Sequence, residues 1–152
     1  MSRIIKFRGK RRSDDEWVYG QYAEANRGWT IKGRFCKPHK SWIICRALSN
    51  GGFFNVMERY AVKDDTVCQF TGLYDKNGKE IYEGDILHTP ETVFNKEMDV
   101  IVEFEDGYFM ARLIAGHWRV GIKRFIEGYS GHKGLNVLEV VGNKYDNPEL
   151  LK

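Results

Sequence analysis

Residues 66–87 read TVCQFTGLYDKNGKEIYEGDIL, and the fold is decided in this stretch. Val67, Phe70, Leu73 and Tyr74 lead into Asp75-Lys76-Asn77-Gly78. There an aspartate can bond back to its own backbone, and Asn-Gly can supply positive φ. The chain must reverse. Lys79–Tyr82 then return as the second strand of a hairpin, and Glu83-Gly84-Asp85 interrupts that strand with a glycine suited to a bulge or corner before Ile86-Leu87 resume. The signals are those of architecture, not of chemistry.

Working outward, a second hairpin is written more sharply still. Val100, Val102 and Phe104 alternate with Ile101, Glu103 and Glu105 up to Asp106-Gly107, after which Tyr108–Leu113 return. A two-residue Asp-Gly loop predicts a type I′ turn and fixes the register, with Glu105 opposite Tyr108, Phe104 opposite Phe109 and Val102 opposite Ala111. Before the first hairpin, short strands are expected from Ile4 to Phe7, from Trp17 to Tyr22, as one run from Trp29 to Arg34, from Ser41 to Ala47, and from Phe53 onward to Val62. Residues 9–15 are expected to form a polar connection and His88–Asp99 a polar loop. The stretch 116–134 holds an irregular strand or a short helix. Leu135–Val141 is a closing strand, and Asn147-Pro148-Glu149 sets an N-cap and a proline at N1 for a terminal helical turn. The expected fold is mainly β: a basic antiparallel lobe over residues 1–65, then a small SH3-like barrel over 66–152 with a short C-terminal helical turn.

Charge is divided along the chain. Residues 1–60 carry 13 Lys/Arg against 5 Asp/Glu, whereas residues 61–152 carry 11 against 16. Halves of opposite sign suit either a nucleic-acid face on the basic half or copies docking basic lobe to acidic barrel. No apolar run approaches the roughly 18 residues of a membrane span, and the N-terminal residues lack the apolar core of a signal peptide. A cytoplasmic chain without a membrane role is expected. Three cysteines without framework spacing are expected to stay reduced.

Four blocks carry a family resemblance: KFRGK near the start, the stretch 66–87, VIVEFEDGYF at 100–109 and LEVVGNKYDNPELL at 138–151. In content, order and spacing they resemble the YopX family of phage and prophage proteins. The resemblance implies a small β-dominated protein made in a bacterial host, and carries over no catalytic residue. The matching positions are turn formers, among them Asp75, Asn77, Gly78, Gly84, Asp85, Asp106 and Gly107. Cys68 stands where the family more often has Gly, and Asp64 where Pro is common, so neither is a family device.

Chemistry is weakly signalled. Asp75, Glu80, Glu83 and Asp85 could hold divalent ions for a metal-dependent nuclease, but two of them sit in turns and no Lys or His completes a nuclease spacing. Cys36, His39, Cys45 and Cys68 include one knuckle-like pair without a second. No cofactor and no metal is expected, and the chain is not read as an enzyme. The leading expectation is a protein–protein or self-assembly module, with a homo-oligomer or a phage or host protein as partner. Nucleic acid is the alternative, held by Lys10, Arg11, Arg12, Trp29, Lys32, Arg34, Phe35, Lys37 and Lys40, where cations and rings interleave.

Overall fold

The computed structural model describes residues 4–24, 29–31, 34–36, 40–48, 55–90, 96–127 and 137–152; within these, 29–31, 34–36, 46–48, 55–56 and 127 are described by backbone alone. The chain is mainly β. Its strands are β1 (Phe7–Lys10), β2 (Trp17–Glu24), β3 (Trp29–Ile31), β4 (Arg34–Cys36), β5 (Ser41–Leu48), β6 (Asn55–Ala61), β7 (Cys68–Tyr74), β8 (Glu80–Tyr82), β9 (Asp85–Thr89), β10 (Met98–Glu105), β11 (Tyr108–Leu113), β12 (Arg119–Gly121) and β13 (Glu139–Asn143). One short helix, α1, spans Ile122–Glu127, and 3-10 turns cover Asp64–Thr66 and Pro148–Leu151. Two sheets of six and five strands run β6-β5-β2-β1-β7-β8 and β12-β11-β10-β9-β13, beside a β3-β4 ribbon. Two compact units divide within β7, at Met1–Gln69 and Phe70–Lys152.

In the N-terminal unit, β2 changes partner half-way. Its first half pairs β1, ending at Phe7 opposite Gly20, and its second half pairs β5, beginning at Gln21 opposite Ile44. At Gly20 the two chains come so close that a Cβ would lie 2.1 Å from the Ile44 carbonyl oxygen, a separation only glycine permits. Beyond β6 the chain folds back on the end of β1. Arg11 bridges Val62, and Lys63 N–H donates to Lys10 O at 2.9 Å. This curl encloses Ile43 and Val62, both fully buried. Two expectations are corrected here. Ile4 and Ile5 are exposed and precede the strand, which runs through Gly9-Lys10 instead: Gly9 is buried with its Cα facing the Val62 side chain, and β1 needs its full length to pair β2. The single run expected over 29–34 is two strands, Ile31 lying opposite Arg34.

The C-terminal unit contains the two hairpins. Asp106 and Gly107 have φ of 52° and 88°, as a type I′ turn requires. Glu105 faces Tyr108, Phe104 faces Phe109 and Val102 faces Ala111, the register expected from the turn. Val100, Val102, Phe109 and Ala111 form one core with Leu87, Ile81, Val140, Leu138 and the α1 residues Ile122 and Phe125. Replacing Gly107 with valine is expected to cost about 1 kcal/mol or more, because a β-branched residue resists φ in that region; an unchanged melting temperature would contradict the turn assignment.

The remaining differences have local causes. β9 reaches Thr89 and β10 starts at Met98, so the expected polar loop is shorter and His88 stands in a strand, its Nδ1 2.8 Å from Asp99 Oδ1. Of the Asn77-Gly78 pair only Gly78 has positive φ. Asn147 does not cap the terminal 3-10 turn with its side chain; its Oδ1 accepts from Asn143 N–H at 3.3 Å instead. Among the described residues the five-stranded sheet is open rather than a closed SH3-like barrel. Its ends are the three-residue β12 and β13, whose register breaks between Val140 and Gly142, and no pairing joins them.

Candidate functional site

Of the basic residues singled out in the sequence, Arg11, Arg12 and Lys40 are each engaged by a carboxylate. Arg11 pairs with Asp14 at 3.0 Å and with Glu16, and its guanidinium lies 5.1 Å from the Tyr60 ring. Arg12 donates to Val62 O and pairs with Asp64 at 3.1 Å. The Ser41 hydroxyl and then Arg12 hold the Asp64 carboxyl below its ordinary pKa. Lys40 lies 3.9 Å from Glu24. The loop cations are thus largely matched by carboxylates of their own unit. Trp29, Arg34 and Phe35 are placed only by strand register, opposite Cys36, Ile31 and Thr30; Lys32 and Lys37 lie outside the described residues.

A different set of cations is interleaved with rings. Because Arg8 opposes Tyr19 and Lys10 opposes Trp17, period-2 alternation puts these four on one face of the β1–β2 pair. Arg8 lies 4.5 Å and Lys10 5.6 Å from the Trp17 ring, and Lys6 5.7 Å from the Tyr19 ring, distances at which cation–π attraction acts. Arg8 itself is buried. Of the expected nucleic-acid residues only Lys10 belongs to this ladder. Alternation of Arg8 and Lys10 was the available signal, and it is lost when residues 9–15 are taken for a loop.

Next to the ladder an apolar groove of about 560 Å3 opens, lined by Ile4, Ile5, Lys6, Gly20, Gln21, Ile44, Cys45 and Met57. Its origin is the partner change of β2. At Lys6 the chain leaves β2, and β2 turns its pairing to β5, so a gap opens where the two ladders would overlap. Three aliphatic side chains stand at its rim largely in solvent, Ile4 at 65%, Ile5 at 58% and Met57 at 72% exposure. The Cys45 thiol donates to Tyr19 O at 3.0 Å, and burial first of all raises its pKa. The Cys45 side chain forms part of the groove wall.

A family model, described as YopX protein, matches residues 6–152. The chain belongs to the YopX family. Among solved structures it is similar to the crystal structure of protein EF1440 from Enterococcus faecalis, at 23% identity and a TM-score of 0.50 over 99% of this chain and 100% of that one. At that identity the likeness concerns the fold. No curated protein matches the chain.

The positions that carry the YopX resemblance hold the C-terminal unit together. Gly72, Gly78, Gly84 and Gly107 all have positive φ. Asp75, buried behind the first hairpin, accepts three backbone N–H groups: Asn77 at 2.8 Å and Lys79 at 2.9 Å on Oδ1, and Val140 at 3.1 Å on Oδ2. Asp85, also buried, accepts from Tyr82 N–H at 2.8 Å. Glu80 accepts from the Tyr82 hydroxyl at 2.6 Å. Of the acids considered for metal-dependent chemistry, Asp75 and Asp85 thus lock turns, and Glu80 holds the Tyr82 hydroxyl from its place in β8. Among the described residues no three His, Cys, Asp or Glu are placed to hold a metal ion. Of the four zinc candidates, Cys68 is buried in β7 and Cys45 lines the groove, while the side chains of Cys36 and His39 lie outside the described residues.

Proposed function

We propose that this YopX-family chain is a non-enzymatic docking module that binds protein through the apolar groove of its N-terminal unit, within the cytoplasm of a phage-bearing bacterium. The supporting observation is the groove with Ile4, Ile5 and Met57 at its rim. An aliphatic cluster of this kind on a highly charged chain marks a contact surface. Burying each such side chain contributes roughly 1.5–3 kcal/mol, so the three supply part of the binding energy, and the rest of the lining and the flanking charges must offset the cost of association. Met57→Lys tests the reading: association in sedimentation or pull-down is expected to weaken by tenfold or more, with the melting temperature unchanged. Association equal to wild type would overturn it.

The cation–ring ladder favours a second reading, binding of single-stranded nucleic acid on the outer face of β1–β2. In that case affinity falls steeply with salt, and Lys6→Ala with Lys10→Ala lowers the log–log salt slope by about one unit for each phosphate no longer neutralised. No binding of single-stranded DNA or RNA at low salt would remove this reading.

A further inference from the structure

We infer that the groove is filled by the β10–β11 hairpin tip of a second copy of this chain, giving a head-to-tail assembly. The inference rests on the docking reading above and names its partner.

The tip has the chemistry the groove lacks. Phe104 and Tyr108 flank the Asp106-Gly107 turn and are 48% and 55% exposed. Phe104 shares a face with Phe109, and Tyr108 with Glu105, so the hairpin end carries a ring on each side, a wedge of aromatic surface. Two rings suit an aliphatic groove of about 560 Å3, a size typical of pockets that bury small apolar groups. Strand hydrogen bonds and a two-residue turn already fix the tip, so little conformational entropy is lost when it docks.

Charge points the same way. Of the carboxylates near the tip, Glu105 pairs with Arg119 at 2.6 Å and Glu103 with Arg112 at 2.9 Å. Asp106, at the apex, has no ion-pair partner among the described residues. On the groove side Lys6 lines the wall. Arg59, exposed and directly opposite Ile44 across the β5–β6 ladder, likewise has no carboxylate partner among the described residues. The same complementarity holds on a larger scale: residues 1–69 carry 14 Lys/Arg against 7 Asp/Glu, and residues 70–152 carry 10 against 14. A basic groove and an acidic tip are different surfaces. Their contact is therefore heterologous: each copy carries one groove and one tip, so copies join head to tail, as a reciprocal pair, a ring or a chain.

Sedimentation velocity of the full chain with Met57→Glu (groove) and Tyr108→Glu (tip) tests this. At about 50 mM salt, where surface charges are least screened, wild type is expected to form a dimer or larger species at tens of micromolar, shifting toward monomer at about 500 mM. Each variant alone should be monomeric with an unchanged melting temperature. Mixed in equal amounts they should give a dimer and nothing larger, because one intact groove meets one intact tip. Asp106→Asn provides a second tip variant, expected to fold as wild type and to associate with reduced salt sensitivity. A monomeric wild type at low salt, a mixture that stays monomeric, or a Met57→Glu variant that assembles like wild type would each overturn the inference. A photo-crosslinking residue at position 57 separates its failure from that of the docking reading. Crosslinks to residues 104–108 of another copy support it. Crosslinks only to a different protein in a bacterial lysate overturn the copy as partner and leave the groove a docking site, and no crosslink to any protein overturns both.

Discussion

Asp75→Ala is expected to destabilise the C-terminal unit by about 3–5 kcal/mol, because the buried carboxylate is the shared acceptor of a turn and a distant strand. It accepts N–H groups from Asn77 and Lys79 in the first hairpin turn and from Val140 in β13. Alanine leaves those donors without their acceptor, and a buried donor so abandoned costs about 1–3 kcal/mol, more where its partner was charged. The turn and the closing strand should loosen together, because Lys76 N–H also donates to Leu138 O at 2.9 Å across the same junction. Burial works against ionisation of Asp75, yet the three donors outweigh it and hold its pKa below the ordinary 3.8. A depressed folded-state pKa has a definite sign. Its contribution is complete above the unfolded value near 3.8 and is lost as pH falls through the folded value. Urea titrations at neutral pH and at about pH 3 check this. Asp75→Asn, which keeps an acceptor but no titrating proton, should be weaker than wild type at neutral pH and should lose less stability on acidification. An equal loss in both proteins would exclude Asp75 as a source of acid sensitivity.

Gly20→Ala is expected to cost about 3 kcal/mol or more, lowering the melting temperature by roughly 6–12 °C for a chain of this size. The added methyl meets Ile44 O at 2.1 Å and Ile44 C at 2.8 Å. Both are backbone atoms in a hydrogen-bonded strand. No side chain can turn aside, so β2 and β5 must separate where β2 exchanges partners. Gly121→Ala is the matched control. Its Cβ would meet nothing within 4 Å, and its effect should stay within about 0.5 kcal/mol. If both substitutions cost the same, close approach at Gly20 is not what that position requires.

The hairpins were legible because everything that makes them is local. Asp106-Gly107 sets a turn, the turn sets a register, and alternation on either side sends Val102 and Ala111 to the core without reference to any distant residue. Gly84 and the Asp75 turn were legible for the same reason, although the sequence left unseen that Asp75 also grips Val140, 65 residues away. The candidate site was not legible, and each part of it depends on residues elsewhere in the chain. Arg11 and Arg12 read as a basic face, but Arg12 is matched by Asp64, 52 residues on. Residues 9 and 10 read as the start of a polar connection; only the rings of β2 show Lys10 to continue the strand and to share a face with Arg8. Ile4 and Ile5 read as half-buried, since an aliphatic pair near a strand normally is. Their exposure, and the groove beside them, follow from β2 leaving β1 for β5 at Gly20. Turn chemistry is a property of four or five consecutive residues and is present in the sequence by itself. Exposure and charge pairing depend on which distant strands meet, and that the tertiary structure alone decided.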